Sequence, residues 1–309
     1  MNRPLKLSNT NSATAAREAI WSRIIEVMKA GDYYDRVMSA GSELDRVKHY
    51  LSILEGTSHE TKALHQDTSL LPIFPGLDYR AVYSVNDFSA LADAAEALKA
   101  SYQIILAEAD GIDYHAYTEG GLNGGRWDVF PIYHMGERLP PAERVPRTTK
   151  IVESLSLSSH VYPWSDMIFS SHEPRTHLLP HYSVDSFRIR CHLGLRVPAG
   201  CWLRVAGETL TWKEKEVLFF SDSYRHETYN GSSQQRVVLI VDLWHPGLSK
   251  VEIDAITAGF RKREIREWFI NIRVPEGCPY SPLRSVLFQR FWESDNDALM
   301  QKYWGKVES

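Results

Sequence analysis

Two histidines and one arginine between His181 and Pro246 have the types and spacing of a metal site with an anion clamp beside it. His181 and His226 lie forty-five positions apart, and Arg236 follows ten positions after the second. Non-haem Fe(II) sites usually hold the metal with two histidines and one carboxylate on one face, leaving the other positions open. In a strand, positions i and i+2 share a face, so a first histidine and a carboxylate two residues later ligate together. The second histidine then arrives from a distant strand, and an arginine beyond it pairs bidentately with a carboxylate. Here the order His, His, Arg is intact but the carboxylate is missing, because Ser183 stands two residues after His181. Asp185 is no simple replacement, since four residues of extended chain span about 13 Å.

The residues between these three read as strands. From Phe187 to Val197 the alternation puts Phe187, Ile189, Cys191, Leu193, Leu195 and Val197 on one face, and Arg188, Arg190, His192, Gly194 and Arg196 on the other. The apolar face demands burial against another layer. The cationic face suits the inside of a site better than a solvated edge. Arg236 to Leu243 repeats the pattern, with Val237, Leu239, Val241 and Leu243 opposite Arg236, Val238, Ile240 and Asp242. Glu216 to Phe220 reads as a third strand, ending at the Ser221–Tyr224 turn that delivers His226. Short strands with charged inner faces predict a mainly β fold, a double-stranded β-helix or jelly roll of cupin-like type whose barrel mouth holds the site.

At these residues the chain resembles the catalytic domain of the aspartyl/asparaginyl β-hydroxylase family of Fe(II)/2-oxoglutarate oxygenases. The matching pieces are FSSHEPRTHLLPH (169–181), FRIRCHLGLRVP (187–198), Gly207, Glu208 and Trp212 as GE-x3-W, SDSYRHE (221–227) and R-x5-D-x-WHP (236–246). Weaker similarity reaches FPGL at 74–77 and the Trp127 region, so the resemblance covers roughly residues 70–250. That family holds iron with two histidines and no protein carboxylate, which accommodates Ser183. The resemblance implies His181 and His226 as the iron ligands, Arg236 and Ser170 on the distal carboxylate of 2-oxoglutarate, and His192 near its metal-chelating end. It implies Arg190 and Arg188 as arginines facing a substrate carboxylate, and Asp222 as an acid hydrogen-bonded to metal-bound water. From the residues alone, Arg188 and Arg190 fit equally well as partners of internal acids such as Asp242, and Asp222 as a cap of its turn. His177 precedes His181 by four, but Pro180 spoils a helical pair there; His177, His172 and His245 are read as structural.

The rest of the chain is consistent with an enzyme of ordinary composition. At 309 residues it can bury a full core, and a net charge of −4 with pI near 6.3 gives no basis for binding nucleic acid or an anionic membrane. Cys191, Cys201 and Cys278 are odd in number and form no CxxC pair, so a reducing compartment is expected over a disulfide framework. No stretch approaches the length of a membrane span, and the first residues lack an apolar signal segment; a soluble, cytoplasmic protein is expected. Residues 1–12 are polar and expected to be disordered. Helices are predicted over Ala13–Ala30, Ser42–Leu54, Asn86–Ala109, Lys250–Phe269 and Ser281–Trp304, and a strand near Val129–Tyr133. GGLNGG is spaced wrongly for a phosphate-binding loop. The expected organisation is a helical segment over 1–68, the β-helix domain over 69–250, and a helical extension over 251–309 whose aromatic residues pack on the barrel or on a partner in a homodimer.

These readings converge on hydroxylation of an unactivated C–H of a carboxylate-bearing amino acid, peptide or natural-product intermediate, with Fe(II), 2-oxoglutarate and O2 consumed to succinate. Two other outcomes use the same residues. A halogenase exploits a vacant carboxylate position for chloride, and hydrogen abstraction can end in desaturation or ring closure. A metal-free jelly roll serving as a binding module is the non-enzymatic alternative.

Overall fold

Alternating burial along the chain sorts its strands into two sheets that face each other. The computed structural model describes residues 10–59, 69–117, 121–273 and 281–305. Twelve strands are found among them: β1 (Val82–Tyr83), β2 (His115–Ala116), β3 (Trp127–His134), β4 (Glu137–Arg138), β5 (Met167–His172), β6 (Thr176–His181), β7 (Arg188–Arg196), β8 (Cys201–Val205), β9 (Glu208–Leu210), β10 (Val217–Phe220), β11 (His226–Asn230) and β12 (Arg236–Trp244). The larger sheet runs β1-β10-β7-β12-β5-β3-β2, with β4 on β3, and the smaller runs β6-β11-β8-β9. From β5 to β12 the chain winds between the two sheets, every pairing is antiparallel, and β12 closes against β5 while β11 closes against β6. That winding is a double-stranded β-helix, as expected.

The predicted two faces of β7 hold over Ile189–Leu195, whereas Phe187 packs in the other core and Arg196 is exposed and pairs with Asp110. Ile189, Cys191, Leu193 and Leu195 join Val237, Leu239, Val241 and Leu243 in the outer core of the larger sheet. Helices α4 (Ser89–Ala100), α5 (Tyr102–Asp110) and α6 (Pro146–Ser154) cover that face. Gly194 is required where β7 passes the turn before β10, since a Cβ there would lie 2.3 Å from the carbonyl oxygen of Lys213. The single helix predicted over Asn86–Ala109 is in fact two. The chain bends at Ser101 so that Leu91, Ala94, Ala95 and Leu98 of α4 and Tyr102, Ile105 and Ala109 of α5 all reach the sheet. Asn86 and Ser84 precede α4 in a turn held by Asp87 rather than capping it.

The terminal helices form one layer over the other side of the barrel. On the N-terminal side lie α1 (Thr10–Ala30), α2 (Tyr33–Met38) and α3 (Asp45–Glu55). On the C-terminal side lie α7 (Lys250–Arg261), α8 (Arg263–Arg273), α9 (Ser281–Ser294) and α10 (Ala298–Trp304). The two predicted C-terminal helices are therefore each broken, at Lys262 and at 295–297. Asp295 accepts from the Arg263 amide and faces the Lys262 ammonium, and Asp297 caps α10 at the Met300 amide. The expectation of disorder over 1–12 falls mostly outside the described residues, although α1 begins at Thr10.

The aromatic tail turns inward on the chain's own N-terminal helices. Tyr33 donates to the Ala255 carbonyl at 2.8 Å and stacks on Trp304, which donates to the Ala258 carbonyl. Phe291, Tyr303 and Trp304 are buried, while Trp292 is 61 % exposed under the Arg263 guanidinium. Phe187 ties both layers to the barrel, touching Tyr50, Phe74, Tyr162 and Phe260. Among the described residues, no helix is long and apolar enough to cross a membrane. Cys191 and Cys201 are buried free thiols.

Candidate functional site

The two histidines meet at the mouth of the barrel. His181 ends β6 and His226 begins β11, and the two are register partners across the strand pair. Their ring centroids are 4.2 Å apart. Each ring is fixed the same way, with Nδ1 donating to a carbonyl two residues back: Leu179 at 2.8 Å for His181 and Tyr224 at 2.9 Å for His226. The tautomer that donates from Nδ1 carries its lone pair on Nε2, the form a metal ligand needs. Burial, with His181 close by, lowers the His226 pKa to about 3, so its imidazole is neutral at physiological pH. Ser183 lies just beyond the strand, and its hydroxyl accepts from Arg188 at 2.8 Å. Among the described residues, no third His, Cys, Asp or Glu completes a metal-binding group with the two histidines.

Below the pair lies a small chamber between the sheets, lined by Ser170, His172, His192, Thr228 and Arg236, with Trp127 and Phe220 among its walls. Arg236 is 2 % exposed, and its Nε and Nη1 have no hydrogen-bond partner. Among the described residues, no carboxylate pairs with it. The guanidinium lies 4.8 Å from the Trp212 ring centroid, and burial lowers its pKa to about 10, so it remains charged. A buried cation without a counter-charge is costly, and such a group is a ready receptor for an anion.

The neighbouring groups are oriented as donors. Trp212 donates its indole N–H to His192 Nδ1 at 3.2 Å, which places the His192 proton on Nε2, a buried atom with no partner. Trp127 donates to Ser170 Oγ at 3.0 Å, which leaves the hydroxyl proton to point elsewhere. The residues therefore fit a bound dianion beside a metal: two imidazole lone pairs at one end, an uncompensated guanidinium at the other, and polar hydrogens between.

A second cleft opens outward from the same histidines. It is lined by Tyr117, Trp127, Trp164 and Tyr182, with Asp166, Arg190 and Asp222 as its charged groups. Arg190 donates from Nε and Nη2 to Asp242 and from Nη2 to Asp166, each at 2.8 Å, and its Nε is 3.2 Å from Asp222. Among the described residues, its Nη1 makes no hydrogen bond. Asp222 is fully buried, and neither carboxylate oxygen has a hydrogen bond. Burial would raise its pKa, but Arg190 and Arg188 outweigh that and hold it below the usual carboxylate range. An ionised acid with unused lone pairs beside both histidines is placed to accept from a metal-bound water.

Arg188 is placed differently. Its side chain is sealed from solvent and consumed by Asp185, Asp242 at 2.6 Å and Ser183, the internal pairing that the residues alone allowed. It braces Arg190 and the Ser183 turn and does not line the outer cleft. Asp242 is the hub, accepting from both arginines and from the Asp166 amide at 2.7 Å. Asp242→Asn removes that charge and one of the two acceptor oxygens, and is expected to cost about 3–5 kcal/mol of stability. Urea unfolding measures it, and an unchanged midpoint would show the network to be dispensable.

Sequence reasoning left His172 as structural, yet it lines the deep chamber, and it passed over Thr228, whose hydroxyl is buried there without a partner. The available signal was i+2 spacing, since His172 follows Ser170 and Thr228 follows His226 by two along strands. His177 and His245 are structural as read: His177 pairs with Glu227 at 2.8 Å, and His245 bonds the Asp78 carbonyl.

The buried imidazoles also set an acid limit. Burial holds His172, His192 and His226 below the ordinary histidine range in the folded chain. The unfolded chain binds protons on them from about pH 6.5 downward, so stability falls as pH drops, by about 2 kcal/mol at pH 5 for His226 alone. Urea midpoints at pH 7, 6 and 5 should decline steadily; a flat series would refute neutral burial.

Comparison with known proteins places these residues in a family. A model of the family described as aspartyl/asparaginyl beta-hydroxylase matches residues 86–246, somewhat less than the 70–250 expected. Aspartate beta-hydroxylase domain-containing protein 2 of Homo sapiens is 33 % identical over 174 residues, covering 52 % of this chain and 47 % of the relative. Aspartyl/asparaginyl beta-hydroxylase of Mus musculus is 37 % identical over 127 residues, 40 % of this chain and 17 % of the relative. The chain thus spans about half the length of the first of these and less of the second. Among solved structures, an oxidoreductase of the 2OG-Fe(II) oxygenase family from Burkholderia pseudomallei overlaps 54 % of this chain and 96 % of that one, at 15 % identity and TM-score 0.34. That overlap is too slight to carry an argument, and the fold rests on the strand order itself. The match over residues 86–246, from α4 to β12, with the paired histidines and the buried arginine inside it, shows that the chain belongs to the aspartyl/asparaginyl beta-hydroxylase family.

Proposed function

We propose that this chain is a non-haem iron hydroxylase that uses 2-oxoglutarate. The observation that carries the reading is Arg236: a charged guanidinium buried without an acid partner among the described residues, in the same chamber as two imidazoles whose ring centroids are 4.2 Å apart. Fe(II), with 2-oxoglutarate and O2, supplies the oxidising chemistry for a C–H hydroxylation, the co-substrate leaving as succinate and CO2. The protein's part is placement and electrostatics. His181 and His226 present Nε2 lone pairs to the metal. Arg236 and Ser170 hold the distal carboxylate of the diacid, and His192 Nε2 donates toward its other end. Asp222, whose carboxylate oxygens have no hydrogen bond, would accept from the hydration of a metal held by the two histidines.

Substrate enters the outer cleft, where aromatic walls exclude water from the reacting carbon. Arg190 is the cleft's cation with an unused Nη1, and it binds the carboxylate of an amino acid, peptide or related small molecule. Arg188 supports it from behind. Incubating the chain with Fe(II), 2-oxoglutarate and a panel of amino acids and peptides tests this reading. The expected result is succinate matched one to one by a product 16 Da heavier than the substrate. Succinate-free reactions across the panel, in protein that is folded and metal-loaded, would contradict it.

A further inference from the structure

The deep chamber contains one more nitrogen donor than the reading above uses. His172 lies on β5, two residues after Ser170 and so on the same inward face. It is the register partner of Arg236 on β12, which sets the two side chains about 5 Å apart. The residue is 1 % exposed, and its Nδ1 is buried with no hydrogen-bond partner. The Trp127 ring meets it edge-on at 5.9 Å and fixes its plane. Two polar side chains, adjacent and buried, thus make no bond to each other: the Arg236 N–H groups lack an acceptor, and His172 Nδ1 lacks any partner. A neutral imidazole carries one N–H to donate besides its lone pair.

We infer that His172 is a specificity-determining residue that donates a hydrogen bond to the distal carboxylate of the bound 2-oxo acid, beside Arg236 and Ser170. The inference rests on the chamber being the co-substrate site. One carboxylate resolves both deficits, since its two oxygens can accept from the guanidinium, from the Ser170 hydroxyl and from an imidazole N–H. A neutral ring suits that place, because burial and the Arg236 charge both disfavour an imidazolium there. The consequence is selectivity: His172 acts on a 2-oxo diacid and has nothing to bind at the far end of a monoacid.

Calorimetric titration of the full chain loaded with Mn(II), without turnover, tests this with 2-oxoglutarate and pyruvate as probes. His172→Phe keeps a ring against Trp127 but removes the donor. It should weaken 2-oxoglutarate binding about tenfold or more and change pyruvate binding by no more than about twofold. His172→Gln, which retains an N–H donor, should recover most of the loss. Equal weakening toward both acids would make His172 a packing residue and overturn the inference, as would His172→Gln behaving like His172→Phe. Arg236→Leu in the same titration separates the two levels. If it weakens 2-oxoglutarate while His172→Phe does not, the role of His172 falls and the chamber reading stands. If neither variant changes binding, the chamber reading falls and the inference with it.

Discussion

His181→Ala and His226→Ala are each expected to abolish Fe(II)-dependent succinate formation and to lower Fe(II) affinity at least about a hundredfold. The size follows from the economy of the site. Changes to groups that support metal ligands already cost about 10–100-fold, and the proposed site takes two ligands from the described residues, so removing one leaves a single imidazole. The effect should be on the metal and little on the fold. His181 stands at the end of β6, and the His226 ring, although buried, makes its one hydrogen bond among the described residues to the Tyr224 carbonyl. Inductively coupled plasma analysis after gel filtration measures bound iron directly. Full iron content in either variant would remove that histidine from the ligand set.

The second large effect is expected at Arg236. Arg236→Leu should raise the 2-oxoglutarate concentration needed for half-saturation about 10–150-fold, the range for losing a charge-assisted hydrogen bond of roughly 1.5–3 kcal/mol. Iron affinity should hold. The same variant makes a second, opposite prediction that a merely structural arginine does not. Because Arg236 has no acid partner among the described residues, replacing it with leucine removes an uncompensated buried charge. The ligand-free chain should then be as stable as the parent or more so, while the rise in melting temperature on adding 2-oxoglutarate disappears. A variant destabilised without ligand and still stabilised by 2-oxoglutarate would reassign Arg236 to the scaffold.

What could be read from the residues was the chemistry that strand geometry constrains. His181, His226 and Arg236 had to sit on inward faces near one another, and the alternation in β7 and β12 showed which faces those were. The fate of Arg188 and Arg190 was not legible, because both carry the same inward-facing signal. Only the fold brings Asp166, Asp185, Asp222 and Asp242 around them, sealing Arg188 and leaving part of Arg190 in the cleft. His172 and Thr228 were missed for a related reason, since a buried atom without a partner is a property of packing and leaves no mark on composition. The helix breaks at Ser101 and Lys262 carry neither glycine nor proline; each occurs where the next helix must turn to reach the layer beneath it.

The most direct test of the account is anaerobic addition of Fe(II) and 2-oxoglutarate to the purified chain, followed by visible absorption for the charge-transfer band of the bound pair. The account predicts a band in the parent, none in His181→Ala, and one in Arg236→Leu only at much higher 2-oxoglutarate. A well-folded parent chain that gives no band at saturating iron and 2-oxoglutarate would contradict it.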